Sequence, residues 1–370
     1  MQLGFFTQPV HPLGRDYAET LAEDRAIFIL ADQLGFSEAF CGEHLVDQIE
    51  NVPSSLLFLA SLVDSTKTMK LAPGVLNLPF SHPAVIAASV AMLDNMLQGR
   101  LMLGIGAGVG RADAEIVGRL DEDRNAMFEE AIEQIVALWT TEAPYRLAGK
   151  YWNISTERTL WPELGLGSMV KPFQKPHPPI LGASGDPASK RVSAFGRNGW
   201  LLMSSDTVPA NRLAEHWENY EAGCVDGDRQ ADRDEWRVVR SIFVCEDEKT
   251  ARSYGKDDPQ SPYRQHFEHL FTKFKKGRSL GMVKTDPQMP DEDVTLDYFV
   301  DECIIAGGID QVIDEILAIR EAAGPFGTLV YAGKNWTDPA LSRRSMELMA
   351  EEVMPAINAA TGSDTVAASA

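Results

Sequence analysis

The chain has 370 residues, 44% hydrophobic and 24% charged, the profile of a soluble globular protein with ample apolar material for a core. A formal net charge of −20 disfavours non-specific nucleic-acid binding, which needs a basic surface. The apolar runs are too short and too often interrupted to span a bilayer, and nothing reads as a signal peptide. Cys41, Cys224, Cys245 and Cys303 form no CxxC pair and fit reduced thiols in a cytoplasmic protein with no metal site.

Taken in order, short apolar runs alternate with helical periodicity. Leu3 to Phe6 reads as a first strand. Tyr17 to Leu34 reads as a helix with Leu21, Phe28, Ala31 and Leu34 on one face and Gly35 at its end. Ser37 to Cys41 is strand two, leading into Gly42-Glu43-His44. A helix near Ser54 to Asp64 precedes strand three, Leu71 to Leu76, which breaks at Asn77 and Pro79. Pro83 suits a first helical position, and Val85, Ile86, Val90, Leu93, Met96 and Leu97 follow at helical spacing up to Gly99. Leu101 to Ile105 is strand four, ending in Gly106-Ala107-Gly108. Strand, helix, strand within about 35 residues is a βαβ unit with parallel strands. Its two loops, NLPFSHP and GAGVG, then share the edge where parallel α/β folds bind ligands.

Asp123 is a predicted cap for a helix striped with Phe128, Ala131, Ile132, Ile135, Leu138 and Trp139. From Ala143 to Pro179 six prolines accompany Trp152 and Trp161, which marks an excursion from the repeat that keeps its aromatics. Ile180 to Ala183 is strand five, and Asp186-Pro187 reads as the start of a helix running to about Arg197. Trp200 to Met203 is strand six, Pro209 to Gly223 its helix, and Val238 to Val244 strand seven. Gly255 to Asp293 is polar and shows no long period, so a mobile loop is expected. Gly308 to Ala323 is a further helix, Thr328 to Tyr331 strand eight, and Asp338-Pro339 opens the last helix. The tail from 359 to 370 is too small and polar to pack and is expected to be disordered.

Eight strands alternating with helices predict a single (β/α)₈ TIM barrel over residues 1–358, with excursions after strands four and seven. A doubly wound sheet is the alternative fold. The alternating Gly104, Gly106, Gly108 and Gly110 fit no G-x-G-x-x-G register, so they read as a strand end where backbone approaches a flat ligand, or else as a tight turn.

Several stretches together carry a family resemblance: Leu3-Gly4-Phe5-Phe6, Gly42-Glu43-His44, Leu78-Pro79 with His82-Pro83, Leu93-Asp94 with Gly99-Arg100, and Leu103-Gly104-Ile105-Gly106. In order and spacing they resemble the bacterial luciferase-like flavin monooxygenases, most nearly the limonene and diketocamphane monooxygenase branch. The resemblance implies a TIM barrel that binds FMN at the strand carboxyl ends, receives it reduced from a separate flavin reductase, and adds O₂ to form a C4a-peroxyflavin. It implies oxygenation of a small apolar substrate such as a terpene, cyclic ketone or aldehyde, and a homodimer is the expected assembly. A deazaflavin-dependent dehydrogenase and a non-catalytic flavin carrier on the same barrel are the rival readings.

Site residues follow partly from position and partly from the resemblance. His44, three residues past strand two, would stand at the barrel mouth, where a group titrating near neutrality can move a proton beside a flavin. Glu43 reads as an orienting or salt-bridging neighbour. Gly74-Val75 matches the place where the family sets an unusual, often cis, peptide beneath the flavin ring. Gly106 and Ala107 stand where luciferase itself carries cysteine and arginine, which argues against light emission. Arg124 matches a family position that reaches phosphate. Ala183-Ser184-Gly185 precedes a predicted helix start with free N–H groups, with Gly307-Gly308 as a competing phosphate cradle. Phe5, Phe6 and Phe80 are expected to line the substrate pocket, with both excursions able to close over it.

Overall fold

A computed structural model describes residues 1–334 and 337–362. The ring strands are β1 (Gln2–Thr7), β2 (Glu38–Cys41), β3 (Lys70–Pro73), β4 (Leu103–Gly106), β5 (Ile180–Ser184), β6 (Leu201–Ser204), β7 (Trp236–Val244) and β8 (Thr328–Ala332). They pair in parallel in the order β3-β2-β1-β8-β7-β6-β5-β4. The ring closes where Leu71 bridges Leu101 and where Leu76, just past β3, pairs with Ile105. This is the predicted TIM barrel.

Alternation along the strands fixes two apolar shells. Phe6, Phe40, Ala72, Met102, Leu181, Met203, Val239 and Val330 fill the lumen. Phe5, Phe28, Leu71, Leu103, Trp236 and Leu329 belong to the larger core that includes the helices. All nine residues of β7 are buried, as a strand covered on both faces requires. At the amino end of the lumen, Arg237 of β7 reaches Glu38 of β2 through two hydrogen bonds of 2.9 and 3.1 Å.

Local signals explain most helix starts. Asp16, Ser54, Asp123 and Asp338 each accept a backbone N–H from the first turn of the helix they precede. Asp186 is different. It folds an Asx turn onto the Ala188 N–H at 3.0 Å, and the helix starts only at Arg191. The predicted helix start there is displaced, because Asp-Pro serves turns as well as caps.

The two excursions differ from expectation in different ways. Residues 143–179 form a hairpin, Arg146–Ala148 with Asn153–Ser155, and a short turn of helix. Glu130, inside the Arg124–Thr140 helix, accepts the N–H groups of Lys150, Tyr151 and Trp152. Gln174 binds Asp94 and the Leu101 carbonyl. This excursion therefore lies along the barrel's flank and foot, which corrects its expected place over the mouth.

Residues 255–293, read as a loop without period, contain the helix Pro262–Gly277. Ser261 caps it, Pro262 takes the first turn, and Tyr263, Phe267, Phe271 and Phe274 form a stripe at helical spacing. Three of those rings pack on Phe299 at centroid distances of 5.1, 6.2 and 5.8 Å. The polar residues that masked this stripe occupy the helix's other face. A short strand, Ile304–Gly307, was also not foreseen; it pairs with the outer half of β7. Of the tail, Ala359 to Thr361 continues the helix Met354–Thr361, and residues 363–370 lie outside the described residues.

Candidate active site at the barrel mouth

His44 sits in the loop after β2, beneath carboxylates on both sides. Its Nδ1 lies 2.8 Å from Asp113 Oδ2, and its Nε2 lies 3.1 Å from Glu50 Oε2. Asp113 belongs to the short helix after β4, and its other oxygen accepts the Val46 N–H at 3.0 Å. The pair thus spans from the β2 loop to the β4 loop, over the end of β3. Burial works against a charged imidazole here, but the bonds to Asp113 and Glu50 outweigh it and raise the pKa to about 10. His44 is therefore an imidazolium at neutral pH, which corrects the expectation of a group titrating near neutrality. Glu43 is tied to the next helix: its Oε2 accepts the N–H and the hydroxyl of Ser55 at 2.9 and 2.8 Å.

Below His44, the Gly74–Val75 peptide is cis. A Cβ on Gly74 would sit 2.9 Å from Phe40 Cβ and 3.0 Å from the Phe6 ring. One on Gly106 would collide with Val75, and one on Gly104 with the Pro73 carbonyl. Gly108 has φ +72°, and Phe80 lies under it. The glycine pattern is thus demanded by close packing of β4 on the end of β3, whether or not a ligand lies above.

The phosphate candidates separate. Arg124 donates through Nε to the Gly108 carbonyl at 3.0 Å, and through Nη1 to Arg119 and Leu120 carbonyls at 3.1 and 2.9 Å. These nitrogens hold the β4 loop in shape. Ser184 and Gly185 are half-buried at the end of β5, and the Arg191–Asn198 helix that follows has no side-chain cap. Its first-turn N–H groups, with Lys190, offer the donors that an anion needs, while Arg191 donates to Asn125 at 2.6 Å. Replacing Arg124 with alanine is accordingly expected to weaken FMN and riboflavin binding alike, and to cost about 1–3 kcal/mol of folding stability. A loss confined to FMN, read by fluorescence titration of both ligands, would return Arg124 to the phosphate.

The aromatics separate too. Phe5 stands between barrel and helices, edge-on to Phe28 at 5.4 Å, and not in the mouth; its place on β1 faces the outer shell. Phe6 faces the lumen, and Phe80 is half-buried in the β3–β4 loop region. The mouth is roofed by the 255–293 excursion. Lys273 binds Asp47 and Glu50 at 2.8 and 2.6 Å, Tyr263 donates to the Ile242 carbonyl at 2.6 Å, and Asn211 donates to the Thr285 carbonyl at 3.1 Å. Asp47, Glu50 and His269 also converge, but both carboxylates are already ion-paired with Lys273, and Glu50 with His44 as well.

Sequence reasoning passed over Asp113, Glu50 and Lys273. Asp113 and Glu50 carried no motif, since only the folded loops bring them to His44 across 69 and 6 residues. Lys273 could have been found from the helical stripe that places it on the opposite face.

A parallel barrel whose mouth joins a half-buried imidazolium, a cis peptide and glycine-lined strand ends has the architecture of a flavin-binding oxidoreductase. The profile of the luciferase-like monooxygenases matches residues 1–325, and the chain belongs to that family, and with it to the flavin-dependent monooxygenases. It is 28% identical over 364 residues to 4-hydroxyprotoasukamycin monooxygenase of Streptomyces nodosus subsp. asukaensis, covering 97% of this chain and 92% of that protein. It is also 28% identical over 378 residues to 3,6-diketocamphane 1,6-monooxygenase of Pseudomonas putida, covering 96% and 98%. The solved oxygenating constituent of 3,6-diketocamphane monooxygenase from Pseudomonas putida, a type II Baeyer–Villiger enzyme in complex with FMN, superposes with a TM-score of 0.86 at 26% identity, covering 96% of this chain and 98% of that one.

Proposed function

We propose that this chain is the oxygenating component of a two-component system. It takes reduced FMN from a separate reductase and uses O₂ to oxygenate a small apolar substrate, such as a terpene, cyclic ketone or aldehyde. The observation that carries this reading is the mouth itself: the cis Gly74–Val75 peptide packed on Gly106, with His44 held between Asp113 and Glu50. When bound, reduced FMN supplies the two electrons that activate O₂.

The chain's own groups divide the remaining work. The Gly74–Val75 and Gly106–Ala107 wall would face the ring, because it stands at the strand carboxyl ends where parallel barrels bind ligands. Ala183, Ser184, Gly185 and the uncapped turn at Arg191 would hold the phosphate. One oxygen atom must leave as water and needs a proton, and the His44 imidazolium holds one at Nε2, on the Glu50 side. Phe6, Phe80 and the roof helix Pro262–Gly277 keep bulk water from the mouth.

A homodimer in the reducing cytoplasm completes the proposal. Leu57, Val85, Met92 and Met96 are exposed on two adjacent flank helices, an apolar surface that a second copy would cover. The four cysteines are buried and unpaired, as a reducing compartment allows. Among the described residues, no helix is long and apolar enough to cross a membrane. Anaerobic titration with photoreduced FMN, oxidised FMN and a reduced deazaflavin tests the cofactor: reduced FMN should bind most tightly. Preference for the deazaflavin would favour a dehydrogenase instead.

A further inference from the structure

A second set of buried polar groups lies in the mouth. Lys334 follows β8, and its side chain is 2% exposed, yet its Nζ has no hydrogen-bond partner among the described residues. His266, on the roof helix, is also 2% exposed, and neither of its ring nitrogens has a partner among them. Native interiors leave few such groups unsatisfied, so two together point to something that completes them.

Their position can be triangulated. Ser241 of β7 pairs with Ala332 of β8, and Tyr263 of the roof helix donates to the next carbonyl of β7, that of Ile242, at 2.6 Å, so the helix starts beside the end of β8 that leads to Lys334. Asp206 follows β6 and accepts the Ser241 hydroxyl at 2.7 Å, while Glu50 lies in the loop after β2. Strands β2 and β6 stand opposite in the ring, and the carboxylates on both sides favour the charged form of Lys334 against its burial. His266 lies one turn after Tyr263 on the roof helix, between the Tyr263 bond to the Ile242 carbonyl of β7 and the Lys273 ion pairs with Asp47 and Glu50 after β2. Strand β8 in turn stands opposite β4, which carries Gly106. Lys334 therefore faces the proposed flavin wall from across the mouth, on the side left for substrate.

The chemistry of the pair is specific. Burial pushes both groups below their ordinary values, His266 strongly, so His266 is a neutral imidazole with one N–H to give. Lys334 supplies further N–H donors from a second direction. Two buried donors that no described residue satisfies suit an oxygen with two lone pairs.

We propose that Lys334 and His266 form a substrate-oxygen corner that selects carbonyl compounds over hydrocarbons of the same shape. The inference rests on the monooxygenase reading above and narrows it: the oxygenated molecule is a ketone or aldehyde, not a bare alkene. It also accounts for a buried lysine whose ammonium has no hydrogen-bond partner among the described residues, which costs stability unless a ligand uses it.

The test uses the full chain, with cyclohexanone and cyclohexene as probes in ligand-observed NMR titrations, with and without FMN. Wild type should bind the ketone in preference to the alkene. Lys334→Met and His266→Phe should each weaken ketone binding by about 10- to 100-fold, the scale of a hydrogen bond to a charged or buried partner, and leave alkene binding unchanged. FMN affinity should not move in either variant. Lys334→Met should also match or exceed the wild-type melting temperature, because it removes an unpaired buried ammonium. A lower melting temperature with ketone preference intact would make Lys334 structural and overturn the proposal, and so would a wild type that binds both probes equally. Failure of wild type to bind FMN would count instead against the flavin reading, since the ketone preference is measured without FMN as well.

Discussion

Replacing His44 by alanine is expected to leave reduced FMN bound while product formation falls by about 10²–10⁴, the usual worth of a positioned acid or base. The fold should survive the change. Glu50 keeps Lys273 at 2.6 Å, and Asp113 keeps the Val46 N–H at 3.0 Å, so neither carboxylate is left bare. Reduced flavin would then be spent as hydrogen peroxide, and uncoupling should rise as product falls. Product and peroxide per flavin oxidised, measured in one reaction, separate this from a structural role, which predicts weaker flavin binding with coupling unchanged. The raised pKa adds a pH signature. The ion pairs of His44 contribute stability in full below the ordinary imidazole value, and that contribution is lost as pH rises through about 10. Activity should accordingly show no histidine limb at about pH 6.5. Glu50→Gln, which removes one of the two carboxylates, should move the limb down toward neutrality.

The largest stability effect is expected at the other end of the barrel. Glu38 and Arg237 are 1% and 7% exposed, and they pair across the lumen through two hydrogen bonds of 2.9 and 3.1 Å. Glu38→Gln leaves a guanidinium buried without its counter-charge and should cost about 3–5 kcal/mol. The double variant Glu38→Met with Arg237→Met should recover much of that loss, because apolar side chains can replace a buried pair without an unpaired charge. Urea denaturation of the single and double variants measures both. Equal losses in the two would show that the pair is favourable beyond mutual neutralisation.

What the sequence disclosed follows from which interactions are local. Each ring strand is a short apolar run between turn residues, so all eight were legible, as was the alternation that closes them into a barrel. His44 was placed by counting past β2. Its protonation was not legible, because Asp113 comes from the far side of β3 and Glu50 from a loop whose path only the fold sets. Phe5 and Phe6 are adjacent, and sequence alone could not say which faces the lumen; β1's register against β2 and β8 decides it. Asp186-Pro187 misled because the same dipeptide closes an Asx turn. The roof helix was concealed by its own solvent face, where Lys275, Lys276 and Arg278 dominate the composition. Lys334 was open to the reasoning that found His44, being a polar residue just past a barrel strand.

The central claim is that the mouth receives reduced FMN and directs its reaction with O₂. Rapid mixing of the protein–reduced FMN complex with O₂, followed by absorbance, tests it most directly. The account predicts a flavin spectrum distinct from both the reduced and the fully oxidised forms, outliving the mixing and decaying faster when a carbonyl substrate is present. Direct conversion to oxidised FMN at the rate of free flavin, with stoichiometric peroxide and no response to substrate, would contradict it.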